Sequence, residues 1–181
     1  EVEFALADLE GVALLNKYEE LTKTFPNNYV IFYNYAVEID KYLSGADIKG
    51  KELTAYKQKI EDNFKRAITL KSTVEANLQL ANLYYSKTYE LQEQVAKIKG
   101  TKAEEVKLKN ELNASVKSTM AATIPYAEEA VKLLAAYTEY KFADKTNYKL
   151  ALEILSHAYK MANNAAKVAE IEKKRVEVEK L

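Results

Sequence analysis

Large apolar side chains recur at three- and four-residue intervals along almost the whole chain, and that period admits little except amphipathic helices. From Tyr29 to Leu43 the stripe is Phe32, Tyr35, Ala36, Ile39 and Leu43, and from Leu53 to Leu70 it is Leu53, Tyr56, Ile60, Phe64, Ala67 and Leu70. Pro26, Asn27 and Asn28 precede the first stripe as a turn and start signal. Ser44 with Gly45 is expected to close it, because Gly accepts the left-handed conformation at helix ends. Two such neighbouring stripes form a hairpin. Four Gly and two Pro in 181 residues leave few breakers for strands and turns, so a small number of long helices is the expectation.

Ser72 and Glu75 read as a capping box opening a third helix through Leu80, Leu83, Tyr84, Leu91, Val95 and Ile98 to Gly100. Thr101 and Glu104 repeat the box directly after that Gly, which predicts a tight turn between antiparallel helices. The next stripe runs through Val106, Leu108, Leu112, Val116, Met120, Ile124, Ala127, Val131 and Leu134, with Pro125 inside it. A proline there removes one hydrogen bond and crowds the carbonyl four residues back, so a kink or break near 120–125 is expected. Helices over about 146–161 and from about Ala165 onward follow, divided at Asn163 and Asn164. Val2 to Thr24 reads as a helix with a weak point at Gly11. The expectation is all-α, about seven helices and no strand.

Twenty-seven basic and 27 acidic side chains leave no surplus to neutralise phosphates, so nucleic acid is not expected as a partner. The longest apolar runs, such as Tyr29 to Tyr33, fall far short of the roughly 20 residues that span a bilayer, so no membrane span is expected and the chain reads as soluble. A start at Glu1 suggests a processed or excised chain without its targeting segment. The absence of Cys excludes a disulfide framework but fits a cytoplasm and a bacterial periplasm equally, so compartment and oligomeric state stay open.

Internal repetition gives the helices an order. The segment from Phe32 to Ile39 is echoed 45 residues later by Asn77 to Tyr84, and Phe64 to Leu70 is echoed by Ala127 to Leu133, with Tyr18 to Leu21 a shorter version. Phe32, Tyr35, Ala36 and Ile39, then Leu80, Ala81 and Tyr84, then Ile154, Leu155 and Ala158, occupy first-helix positions. Phe64, Ala67, Ala130 and Pro26 occupy second-helix and terminal ones. On these residues the chain resembles the tetratricopeptide repeat family, with spacings of 45 and 74 residues instead of 34 and without the signature Trp and Gly. The resemblance implies one TPR-like domain over 1–181, a helical-hairpin solenoid with a concave face for ligands. Its parts are the second helix of a partial repeat at 1–25, a repeat at 28–71, a repeat with an extended antiparallel hairpin at 73–138, and a terminal helix pair at 146–181. The excess length near Thr88 to Lys117 predicts a projecting helical arm.

Chemical motifs are sparse. Gly45 to Lys51 has the Gly and Lys spacing of a phosphate-binding loop, but Glu52 stands where a hydroxyl should reach magnesium and a helix precedes it, so an interhelical loop is expected. His157 is the single histidine, which removes an imidazole metal cluster, and Ser156 beside it points to a different helix face. Glu19-Glu20, Glu104-Glu105 and Glu128-Glu129 diverge by about 100° on a helix and read as solvated faces. Asn113-Ala114-Ser115 fits a glycosylation sequon, a three-residue match that arises often by chance.

Fourteen Tyr and no Trp suit half-buried helix packing and equally an adaptable binding groove. Tyr35, Tyr56, Tyr84 and Tyr126 fall on core stripes. The family resemblance implies ligand-facing positions at Tyr33, Val37 and Lys41, then Leu78, Asn82 and Tyr85, then Leu152, Ser156 and Tyr159. The resulting expectation is a non-catalytic scaffold that holds a protein or peptide, without cofactor or metal. The other reading is a small-ligand or glycan receptor of a bacterial cell envelope, in which clustered Tyr stack on the ligand. An enzyme would need a deep pocket with at least two titratable groups of displaced pKa.

Overall fold

The computed structural model describes residues 6 and 8–180, and among them it is all-α, helices joined by turns and short irregular links with no strand. Two compact units divide the chain, Glu1–Ser72 and Thr73–Leu181. The first unit holds α1 (Gly11–Thr24), α2 (Tyr29–Gly45) and α3 (Gly50–Leu70). The second holds α4 (Val74–Lys97), α5 (Ala103–Ala135), α6 (Phe142–Met161) and α7 (Ala165–Val178). The expected helix over Val2 to Thr24 falls partly outside the described residues, and α1 starts at Gly11, whose φ of +53° lies in the left-handed region that favours Gly.

In the first unit, Asn28 caps α2 by accepting from the Val30 amide at 3.1 Å, which is why the chain turns after Pro26. Arg66 of α3 donates to the Pro26 carbonyl at 2.7 Å and ties the same turn down. The core joins Leu15, Tyr18 and Leu21 of α1 to Ile31, Tyr35, Ala36 and Ile39 of α2 and Ile60, Phe64 and Ala67 of α3. Tyr18 and Tyr35 stack with ring centroids 5.8 Å apart. The end of α2 differs from expectation: Gly45 stays in the helix without a positive φ, and Gly50, at φ +62°, makes the left-handed step that starts α3. The connection is therefore only 46–49, with Lys49 paired to Asp47 at 2.8 Å, and no strand leads into it.

In the second unit both helix caps sit one residue later than expected, and the box expected at α4 is not formed, because Ala76 stands where its returning carboxylate would be. Thr73, not Ser72, caps α4 by accepting from the Ala76 amide at 3.2 Å. The Glu105 carboxylate, not that of Glu104, accepts from the Lys102 amide at 3.2 Å at the start of α5. A Cβ at Gly100 would fall 1.9 Å from the Glu105 carboxylate, the movable end of a side chain that folds back over the turn. Pro125 does not break α5, which runs unbroken from Ala103 to Ala135. Both Pro125 and Ala121, whose carbonyl the proline leaves without its partner, are exposed, so water can take the place of the lost amide.

The core of this unit gathers Val74, Leu78 and Ala81 of α4, Ala127, Ala130, Val131 and Leu134 of α5, and Ile171 and Val178 of α7 around α6. Leu152, Ile154 and Leu155 are wholly buried. Each contributes about 1.5–3 kcal/mol through burial. Beyond Thr88 in α4 and before Val116 in α5 no side chain is buried, so the α4–α5 hairpin is extended and its distal part is held by half-buried contacts alone. The Tyr140 hydroxyl donates to the Leu134 carbonyl at 2.9 Å and fixes the link from α5 to α6. Asn163, at φ +55°, and Asn164, whose side chain accepts from the Lys167 amide at 3.1 Å, turn the chain into α7. Among the described residues no helix is long and apolar enough to cross a membrane.

Candidate functional site

The nine sequence-derived positions separate by burial. On α2, Tyr33 is half-buried with its ring 5.8 Å from that of Phe64, Val37 is half-buried, and Lys41 is exposed and 3.5 Å from the Glu38 carboxylate. On α4, Leu78 is buried in the core, while Asn82 and Tyr85 keep part of their surface. On α6, Leu152, Ser156 and Tyr159 are all buried. Leu78, Leu152 and Tyr159 lie in one core cluster, so the second and third sets meet each other and these three offer a ligand no free surface.

The polar members of that wall are occupied as well. The Ser156 hydroxyl donates to Glu172 at 2.7 Å, and Glu172 also binds Arg175 at 3.1 Å and Lys160 at 3.5 Å. The Ser156 hydroxyl is the first cause that holds the Glu172 carboxyl below its usual range. The Tyr159 hydroxyl donates to the Glu128 carboxylate, and burial, then this bond, push the phenol pKa upward. Glu128 is thus the acceptor for a buried phenol as well as a surface charge.

One cluster at this wall keeps access to solvent. Tyr85 and Tyr89 lie one turn apart on α4, rings 5.0 Å apart and edge to face, with hydroxyls 3.0 Å apart. His157 on α6 meets both: its Nδ1 lies 3.1 Å from the Tyr89 hydroxyl and in hydrogen-bond contact with that of Tyr85. The Tyr85 and His157 rings are 5.6 Å apart. Burial first, then the Tyr89 hydrogen bond, raise the Tyr85 phenol well above its ordinary value, and the Glu153 charge acts the same way. Tyr89 is 43% exposed, which leaves the cluster open on one side.

The repeat positions include Tyr85, whereas the sequence offers His157 no imidazole cluster or nucleophile partner and does not single out Tyr89. The available signal was the pairing of two four-residue spacings, Tyr85 with Tyr89 and Glu153 with His157, on helices that pack together. Compared with known protein families, characterised proteins and solved structures, the chain matches none.

Proposed function

We propose that the chain is a non-catalytic scaffold of TPR-like helical hairpins that holds a protein or peptide on side chains of its first helices. The observation that carries this reading is the partial exposure of Tyr33 with Val37 and Lys41 on α2, and of Tyr85 with Asn82 on α4. Such surfaces suit a partner, because Tyr offers a rigid, amphipathic contact area at low entropic cost. Lys41, on the helix of Tyr33, and Asn82, on that of Tyr85, each add a polar group that can hydrogen-bond a partner. The burial of Leu78, Leu152, Ser156 and Tyr159 narrows the contact set to the other five positions.

Affinity capture from a native lysate, followed by rebinding with the purified partner, tests the reading. The wild-type chain should bind one protein whose affinity falls about tenfold or more with Tyr33→Ala or Tyr85→Ala, since each removes an aromatic anchor. Unchanged affinity in both correctly folded variants would end the proposal.

A further inference from the structure

The far end of the α4–α5 hairpin carries a charge that the chain as a whole does not. Lys97, Lys99, Lys102, Lys107 and Lys109 stand there against Glu104 and Glu105, a net of three positive charges in a chain whose total is zero. All five Lys are exposed, and among the described residues only Lys107 pairs with a carboxylate, that of Glu111 at 4.0 Å. Apolar side chains sit among them: Val106 is 45% and Leu108 49% exposed, and Ile98 is half-buried. The first buried residue of α5 is Val116, thirteen positions after Ala103, so about 20 Å of hairpin separates the turn from the last buried layer.

The arrangement of these side chains selects the partner. Val106 and Leu108, two positions apart on a helix, face directions about 160° apart, with Lys107 on the wider arc between them. A protein groove grips a helix by one continuous apolar face, which this end lacks. Lys and apolar side chains on all sides suit instead an interface that deforms around them, negatively charged outside and apolar beneath. We propose that the tip of the α4–α5 hairpin docks end-on into the headgroup region of a membrane rich in anionic lipid. In that pose Val106 and Leu108 reach the boundary between headgroups and acyl chains. The Lys side chains lay their methylenes along the apolar layer and set their ammonium groups at the lipid phosphates. Each Lys near an anionic surface is worth about fivefold in affinity, so a net of three gives about a hundredfold preference over a neutral membrane. The contact is peripheral, since among the described residues no helix is long and apolar enough to cross the bilayer.

Sedimentation of the full-length chain with vesicles tests this without a partner protein, and the substitutions spare Tyr33, Val37, Lys41, Asn82 and Tyr85, so this proposal and the scaffold reading fail separately. Vesicles of phosphatidylserine and phosphatidylcholine in equal parts should bind about a hundredfold more tightly than phosphatidylcholine alone, and added salt should shrink the difference. Lys99→Gln with Lys109→Gln should weaken binding about twentyfold. Both positions are exposed, so the variant keeps the fold, which circular dichroism checks. Because the chain has no Trp, Leu108→Trp places a single fluorophore at the tip, and its emission should move to the blue on the anionic vesicles. Val12→Trp, at a 48% exposed position of α1, should show no such shift. Equal binding to both vesicle types, unchanged binding by the folded Lys variant, or an unshifted Leu108→Trp emission overturns the proposal. An unshifted emission together with displacement by soluble polyglutamate would assign the tip to an acidic protein surface instead.

Discussion

Leu155→Ala is the perturbation that the packing of the second unit makes most quantitative. Leu155 has no exposed surface and sits on α6 inside the main core cluster. Truncation removes the equivalent of about three methylenes at about 0.8 kcal/mol each. The cavity left behind adds to this, since neighbouring helices relax only partly. A loss of about 3 kcal/mol follows, inside the range of about 2–5 kcal/mol for such substitutions. Leu108→Ala on the distal hairpin is the matched control: Leu108 is 49% exposed, and its truncation should stay within about 0.5 kcal/mol. Urea unfolding followed by circular dichroism measures both. A cost below about 1 kcal/mol for Leu155→Ala, or equal costs for the two variants, would refute the assignment of the core.

Pro125→Ala should stabilise the chain by about 1–3 kcal/mol in the same assay, because it restores an amide and relieves crowding in an unbroken helix at an exposed position; a loss of stability would show that the proline shapes α5. The Glu19 and Lys59 pair, 2.8 Å apart and bridging α1 to α3, predicts a pH dependence. The Lys59 hydrogen bond is the main cause that holds Glu19 below 4.5, and the Glu19 hydrogen bond raises Lys59 above 10.5. Stability from the depressed carboxyl is present above pH 4.5 and lost as pH falls through its folded value, while that from the raised ammonium is present below pH 10.5 and lost as pH rises through its folded value. Glu19→Gln should therefore lower stability by less than about 1 kcal/mol between these limits, solvent screening keeping it small, and the gap from wild type should close at both extremes; a gap that persists at low pH would contradict the pairing.

The period of the apolar residues carried the helix count because burial of one face is a local, repeating demand. For α3 the stripe from Leu53 to Leu70 lies inside the observed Gly50–Leu70. The starts of α4, α5 and α7 were legible to within a residue, whereas α6 starts at Phe142, about four residues before the expected 146, with the Asp144 carboxylate accepting from the Lys141 amide. The displacement from Ser72 to Thr73 and from Glu104 to Glu105 arose because neighbouring residues offer the same chemistry. The burial of α6 was written in the near-continuous run Ala151, Leu152, Ile154, Leu155, Ala158 and Tyr159, which leaves little polar face and marks a helix covered on several sides. Assigning Leu152, Ser156 and Tyr159 by repeat position passed over that run.

The convergence of Tyr85 and Tyr89 on His157 was not legible, since it joins residues 72 and 68 positions apart. Only the packing of α6 against α4 brings them together. Each half, a four-residue pair on one helix, has many ordinary explanations when met alone.

That convergence is open to one direct measurement. His157 is the sole imidazole in the chain, so its ring protons give unique NMR signals. Through-space cross-peaks from those protons to the rings of Tyr85 and Tyr89 are predicted in the wild-type chain, those of Tyr89 moving on Tyr89→Phe. An imidazole that shows cross-peaks to neither ring would contradict the arrangement on which the site is built.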